Sequence, residues 1–433
     1  MVRSSSPRGS GAEAVERAAG TEERRALTGV RALRHRSFTM FWLGALVSNA
    51  GTWMQNITVP YVLLQLTHSA TWVGASAFCA FLPSLLVTPI AGSIADRIPR
   101  KVFLLWSQAA QALIAFALFA AWVGHVRRPI VLVILVALGG LVYGTTLGAW
   151  HAFVSELVPR EDLLNAVSLN AAQNNAARAI GPALGGLVLA RYGPAGAFLL
   201  NSLSFLAVIG ALALVRTARE VHHPTEQGVW RHFADGVAYA RRHTGILVAI
   251  TLAGTTSLLL NPVLQLSAVV ARTVYHVGAG RYAWLIAAFG AAAVLGAVIL
   301  GVLDGRVPRS RIALGASVAF GASMVLFALN RAYLPGLALM GTMGLCFVIL
   351  FAVLNTTVQL QVREEVRGRV LAVLMMAIVG GYPFGALIEG WLADVIGVRT
   401  TLGGAAVVFL VVVAVIAADR RRFLSLDDHV DAS

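Results

Sequence analysis

Charge is scarce in this sequence. Only 12% of its 433 residues are Asp, Glu, Lys or Arg, where a soluble domain carries about 25%. Hydrophobic residues make up 58% and the mean hydropathy is +0.76, which excludes an ordinary soluble fold and places the chain in the membrane class. Cysteine is nearly absent. Cys79 and Cys346 both sit inside apolar runs without metal-like neighbours, so they read as small core residues and no disulfide framework is implied. Lysine occurs once, as Lys101 between Arg100 and Val102, so there is no Gly-Lys-Ser/Thr loop to hold nucleotide phosphates. The H-E-x-x-H and G-x-S-x-G patterns are missing as well. Catalytic residues, metal and cofactor are therefore all assigned as none, and an enzymatic role is not expected.

The formal net charge of +14 raises the question of nucleic acid. The arginines answer it, because they fall between apolar spans rather than on one basic face. Glycine is abundant, at 42 residues, as is usual in membrane helices. Residues 1–36 are polar and have no apolar core segment. They read as a disordered tail rather than a cleavable signal peptide.

A helix needs about 20 mostly apolar residues to cross the hydrocarbon. Twelve stretches qualify, near 38–63, 72–95, 102–123, 130–153, 165–190, 196–215, 246–267, 282–303, 312–330, 334–355, 370–393 and 401–418. The alternation of a membrane barrel is lacking, so the expected class is all-α. Of the 34 Lys and Arg, 26 lie in the loops on the side of the two termini, 7 in the opposite loops, and Arg178 lies within a span. That bias places both termini in the cytoplasm. The polar stretch 216–245 divides six spans from six. It holds an amphipathic segment with Trp230, Phe233, Val237 and Ala240 on one face, expected to lie on the cytoplasmic membrane surface. The expected organisation is a tail (1–36), a six-helix bundle (37–215), the linker (216–245), a second bundle (246–418) and a second tail (419–433).

The halves repeat. Asp96-Arg97-Ile98-Pro99-Arg100 after span 2 corresponds to Gly305-Arg306-Val307-Pro308-Arg309 after span 8. Pro159-Arg160-Glu161 before span 5 corresponds to Arg363-Glu364-Glu365 before span 11. Duplicated six-helix halves are the plan of a rocking transporter with its substrate near the midplane.

On these motifs the chain resembles the major facilitator superfamily. The loop after span 2 carries G-x-x-x-D-R-x-x-R-K as Gly92, Asp96, Arg97, Arg100 and Lys101. Within the superfamily the chain is similar to the enterobactin-exporter-like and drug-efflux branch. That similarity rests on Ser48 to Gln55 in span 1, Arg178 to Gly186 in span 5 and Arg367-Gly368-Arg369 before span 11. The resemblance implies the twelve-helix major facilitator fold and a gating loop whose ionic contacts between the halves latch the outward-facing state. It also implies an "antiporter motif" at Gly181, Pro182, Gly185 and Gly186, associated with exporters. The sequence departs from the pattern at Pro99, at Ala177 and in the second-half copy, where Gly305 stands in place of an aspartate.

Each candidate has a plainer alternative. The basic loop is also what topology alone requires. Pro182 removes a backbone hydrogen bond and is expected to bend span 5, while the glycines also suit ordinary close packing. Arg178 sits near mid-depth, where an arginine must be solvated or paired. It either binds an anionic group of the substrate or orders span 5 against the opposite half. Glu389 is a candidate proton site, or else a solvated residue near the outer interface. His151 is a second, weaker proton candidate with a structural alternative. Span 1 offers no acid. The amides and the indole of Asn49, Trp53, Gln55, Asn56, Gln108, Gln111, Asn174, Asn261, Gln265, Asn355 and Gln359 are cavity candidates or helix–helix contacts. Their mixture of neutral amides and aromatics suits a large amphipathic ligand.

The expected protein is a multi-pass protein of the bacterial inner membrane that exports a small amphipathic molecule by alternating access. Its partners are that substrate, the lipid bilayer and H+ as coupling ion; nucleic acid is not a partner, and a monomer is expected. The alternatives are an importer of the same fold and a non-transporting receptor or scaffold.

Overall fold

A computed structural model describes residues 31–95, 98–215, 229–303 and 305–428, with side chains described throughout except at 89–95, 179 and 229–232. The expected tail to residue 30 and most of the linker lie outside the described residues. The described residues are almost entirely helical.

The helices are α1 (Arg36–Thr67), α2 (Ala70–Ala95), α3 (Arg100–Val123), α4 (Pro129–Glu156), α5 (Leu163–Leu214), α6 (Val229–Arg242), α7 (Thr244–Leu259), α8 (Val263–Thr273), α9 (Ala279–Leu303), α10 (Arg309–Leu329), α11 (Tyr333–Gln361), α12 (Arg367–Ile396), α13 (Val398–Ala418) and α14 (Arg420–Leu424). Among the described residues, ten segments are long and apolar enough to cross a membrane. Two details bring these to twelve crossings. The 52 residues of α5 would measure about 78 Å as one rod, more than twice the hydrocarbon thickness. The chain turns within it at Gly193, whose φ of 65° and ψ of −172° leave the helical region. Glycine has no Cβ to oppose that conformation, and Pro194 follows. The arms of α5 are spans 5 and 6. The remaining crossing is α1, 32 residues long and diluted by Ser48, Asn49, Thr52, Gln55 and Asn56.

The break in span 5–6 thus falls at Gly193, whereas at Pro182 the chain keeps helical dihedral angles. Span 7 is also broken. Leu260-Asn261-Pro262 interrupts it between α7 and α8, as expected where a proline withdraws its N–H.

Within the first half, α1 packs on α5, α2 on α4, and α3 on α4 and α5. Within the second, α9 and α10 pack on α11, α10 on α13, and α12 on α7. Two seams join the halves, α2 against α12 and the first arm of α5 against α9. These are spans 2 with 11 and 5 with 8, and they exchange with one another when one half is mapped onto the other. Large side chains such as Leu113, Val298 and Val415 are exposed on the outer helix faces. Helices apolar all round leave such faces for lipid.

The face that carries both described chain ends is called here the terminal face, and the opposite one the far face. At the terminal face, Lys101 donates to the carbonyls of Ala213 and Val215, at 3.1 and 2.6 Å, and so caps the end of α5. In the second half, Asp427 accepts from the backbone N–H and hydroxyl of Ser310 at the start of α10. The linker helix α6 packs on α12. Asp235 pairs there with Arg369 at 3.2 Å.

Candidate functional site

The seam between α2 and α12 is made close by glycine. A Cβ on Gly74 would strike the carbonyl of Ala386, and one on Gly390 would meet the backbone of Ala70 and Gly74. At the far end of this seam, Asp394 of α12 reaches the first turn of α2. It accepts from the Ser69 hydroxyl (2.5 Å), the Ala70 N–H (2.7 Å), and the N–H (2.9 Å) and hydroxyl (2.6 Å) of Thr71. The second half therefore supplies the N-terminal cap of a helix in the first, where free N–H groups and the helix dipole favour a carboxylate. The other seam closes alike, with Gly186 pressed against Ala283. Tyr61 of α1 stacks on Tyr282 of α9, with ring centroids 6.1 Å apart.

These contacts run from mid-depth to the far face. Gly380 still touches Leu85 at 3.6 Å. One turn towards the terminal face, Met376 lies on the same side of α12 and is 37% exposed. The bundle is closed at the far face and parted towards the terminal face.

At the apex of the opening stands Arg178, on the first arm of α5. Its guanidinium carbon lies 5.2 Å from the ring centroid of Trp53 in its own half and 5.2 Å from that of Phe347 in the other. The Tyr382 hydroxyl of α12 is within electrostatic reach of it. Tyr382 also packs edge-on against Phe81, at 5.0 Å, and donates to the side-chain carbonyl of Gln265 at 3.3 Å. Gln265 in turn donates to Ser76 at 3.2 Å and to the Val73 carbonyl at 3.4 Å. Aromatic rings and amides from both halves thus meet around one cation. Among the described residues, Arg178 has no carboxylate within 4.0 Å and no hydrogen-bond acceptor.

The structure sorts the other sequence candidates. Asn49 is tied to Gln173 and Asn174 of α5, at 3.3 and 3.0 Å. Gln55 accepts from Asn201 at 2.7 Å. Gln111 donates to the Gly139 carbonyl at 3.0 Å, and Gln108 is buried. Asn49, Gln55 and Gln111 thus join helices within the first half. Gln359 donates to Asn355 within α11 at 3.2 Å. Asn56 and His151 are exposed. Gly181 and Gly185 receive Trp53 and Met54 of α1, while Gly186 faces the other half. The motif therefore sets helix spacing on both sides of span 5.

The gating role that the resemblance implied for the loop after span 2 falls in part outside the described residues. Gly92 lies in the last turn of α2, and Asp96 and Arg97 lie outside the described residues. Arg100 pairs with Glu156 of its own half, at 2.6 Å, and Lys101 caps α5, also in its own half. With the bundle parted at this face, both cations find partners locally rather than across the gap.

Glu389 is 3% exposed, so it is not a solvated residue near an interface. Both of its carboxylate oxygens lack a hydrogen-bond partner, as does the side-chain oxygen of Asn261. Gly385, one turn earlier on the same face of α12, is pressed against Leu258 and the Pro262 ring. Glu389 therefore faces the break between α7 and α8, where Asn261 lies. Sequence reasoning missed Tyr61, Tyr282, Phe347, Tyr382 and Asp394. The aromatic residues sit in apolar runs where nothing marks them from core, and Asp394 is one more acid at a span end.

Comparison with known proteins agrees with this geometry. The family description "Transmembrane secretion effector" matches residues 27–430. The multidrug efflux pump Tap of Mycobacterium tuberculosis is 26% identical over 374 residues, covering 82% of this chain and 87% of that protein. The staphyloferrin A transporter of Staphylococcus aureus is 26% identical over 375 residues, covering 81% and 88%. Among solved structures, the nucleoside transporter NupG superposes with a TM-score of 0.70 at 14% identity, over 88% of this chain and 98% of that one. A bacterial homologue of the lysosomal transporter Spinster, in an inward-facing and unoccupied conformation, gives 0.71 at 12% identity, over 91% and 97%. The chain belongs to the transmembrane secretion effector family of major facilitator superfamily transporters, and it is a multi-pass membrane protein that carries small molecules.

Proposed function

We propose that this transporter exports small amphipathic molecules from the bacterial cytoplasm by alternating access, driven by protons. The observation that carries the reading is the mid-depth site around Arg178, shared by both halves, closed at the far face and open at the terminal face. The excess of Lys and Arg in the terminal-face loops makes that face cytoplasmic. The conformation described is then the one that loads from inside the cell. A relative named as a multidrug efflux pump supports the direction. We propose the inner membrane as its location and the monomer as its working unit.

The proton is assigned to Glu389. An ionised carboxylate in this depth, without cation or donor, carries an uncompensated cost, and a bound proton removes it. When the halves rock and the far face opens, the seam beside Glu389 parts and the group is exposed to the opposite side. Proton entry and substrate exit thereby share one movement.

The test is growth and accumulation in cells with and without the gene, against a panel of toxic amphipathic compounds. Export predicts protection and lower cell content, abolished by a protonophore. Sensitisation by the gene would indicate import and overturn the proposal.

A further inference from the structure

The guanidinium of Arg178 has five N–H donors in a planar fork, built to hold a carboxylate or a similar acid group by two parallel bonds. Nothing among the described residues uses them. The nearby groups are the rings of Trp53 and Phe347 and the Tyr382 hydroxyl. Aromatic faces stabilise a cation but leave its charge unneutralised. Among the described residues, no carboxylate lies within 4.0 Å of Arg178. Asp162 and Glu156 pair with cations at the terminal face, Asp394 caps α2 at the far face, and Glu389 faces the break in span 7. The transport site thus presents one uncompensated positive charge, set among aromatic surfaces, in the part of the membrane where such a charge is most costly. A structural arginine that merely pinned span 5 to the opposite half would have acceptors there to pin it to.

We infer that the substrate is an amphipathic organic anion, its acid group held by Arg178 and its apolar body lying against Trp53, Phe347 and Tyr382. This rests on the export reading and narrows it to a chemical class. Cationic compounds meet repulsion at the same point. The inside-negative membrane potential drives an anion outward, in the direction proposed. Release follows from the same geometry: Trp53 and Arg178 belong to one half and Phe347 and Tyr382 to the other, so rocking that opens the far face dismantles the pocket around the bound molecule.

The test uses the full chain in lipid nanodiscs and three probes of one shape: 1-naphthoate (anion), 1-naphthamide (neutral) and 1-naphthylmethylamine (cation). Binding is read by equilibrium dialysis of radiolabelled probe. The native protein should bind naphthoate at least about tenfold more tightly than the amide, as a charge-assisted pair replaces a neutral contact. Arg178→Gln should erase that preference by weakening naphthoate far more than the amide, and Arg178→Lys should restore part of it. Equal weakening of all three probes in Arg178→Gln, with a normal melting curve, would assign Arg178 to packing and overturn the inference. So would native binding that favours the cation or shows no preference. Efflux in cells separates the two readings. Outward movement of neutral and cationic compounds without naphthoate binding leaves export standing and removes the anion class. Arg178-dependent naphthoate binding without any efflux leaves the anion class and removes export.

Discussion

The cap that Asp394 places on α2 offers a direct test of how the far face stays shut. Its four hydrogen bonds, at 2.5 to 2.9 Å, join the halves only while that face is closed. Removing a capping side chain costs about 0.5–2 kcal/mol, and a carboxylate at a helix N-terminus adds about 0.3–1 kcal/mol. Asp394 is partly solvent-exposed, which screens the electrostatic share. A net loss of about 1.4 kcal/mol from the closed state shifts the closed-to-open ratio about tenfold. Asp394→Ala should therefore populate a far-open state. Only Cys79 and Cys346 need replacing to clear the background. Spin labels at Val126→Cys and Arg331→Cys, on far-face loops of opposite halves, then report the opening as a new long-distance population. Thr71→Val should give a smaller shift in the same direction. The two substitutions together should fall short of the sum, because they break shared bonds. Unchanged distance distributions in Asp394→Ala would refute the latch.

Glu389→Gln keeps the shape and removes the proton site. Uphill efflux should fail while substrate exchange down its gradient persists; at 100 mV a proton contributes about 2.3 kcal/mol, so the accumulation ratio should drop about fiftyfold in a proteoliposome flux assay. Gly74→Leu places a side chain against the Ala386 carbonyl. It should strain the closed far face by about 1–3 kcal/mol, read as faster labelling of a far-face cysteine such as Ser69→Cys. Lys101→Met removes two bonds to the end of α5. It should destabilise the purified protein by about 1.5–3 kcal/mol, with a lower midpoint in a thermal inactivation curve.

The fold was legible because a membrane helix is written in one dimension. Twelve apolar runs of hydrocarbon length, the Lys and Arg bias of the loops and two motifs recurring at matching places in each half establish the crossings and the pairing of halves. They do so without any contact being known, because every backbone polar group in lipid must be satisfied within its own helix. Local breaks were half legible. The turn inside α5 falls at Gly193, between the apolar runs 165–190 and 196–215 as expected, whereas Pro182, expected to bend span 5, keeps helical dihedral angles, since an internal proline is tolerated where neighbours hold the helix and a positive φ needs glycine.

Only the tertiary structure decided what each polar residue is for. The sequence left Asn49 and Gln55 as cavity candidates or helix contacts, and the structure ties both to α5 within the first half, while Gln265 bridges the seam. Arg178 was visible as a charge out of place, but the rings that flank it come from spans 1 and 10, more than a hundred residues away on either side. Asp394 caps a helix that begins more than three hundred residues earlier. Hydropathy reports how a residue meets lipid. Which helix it meets is set by packing at glycine-lined seams, and that information belongs to the assembled bundle.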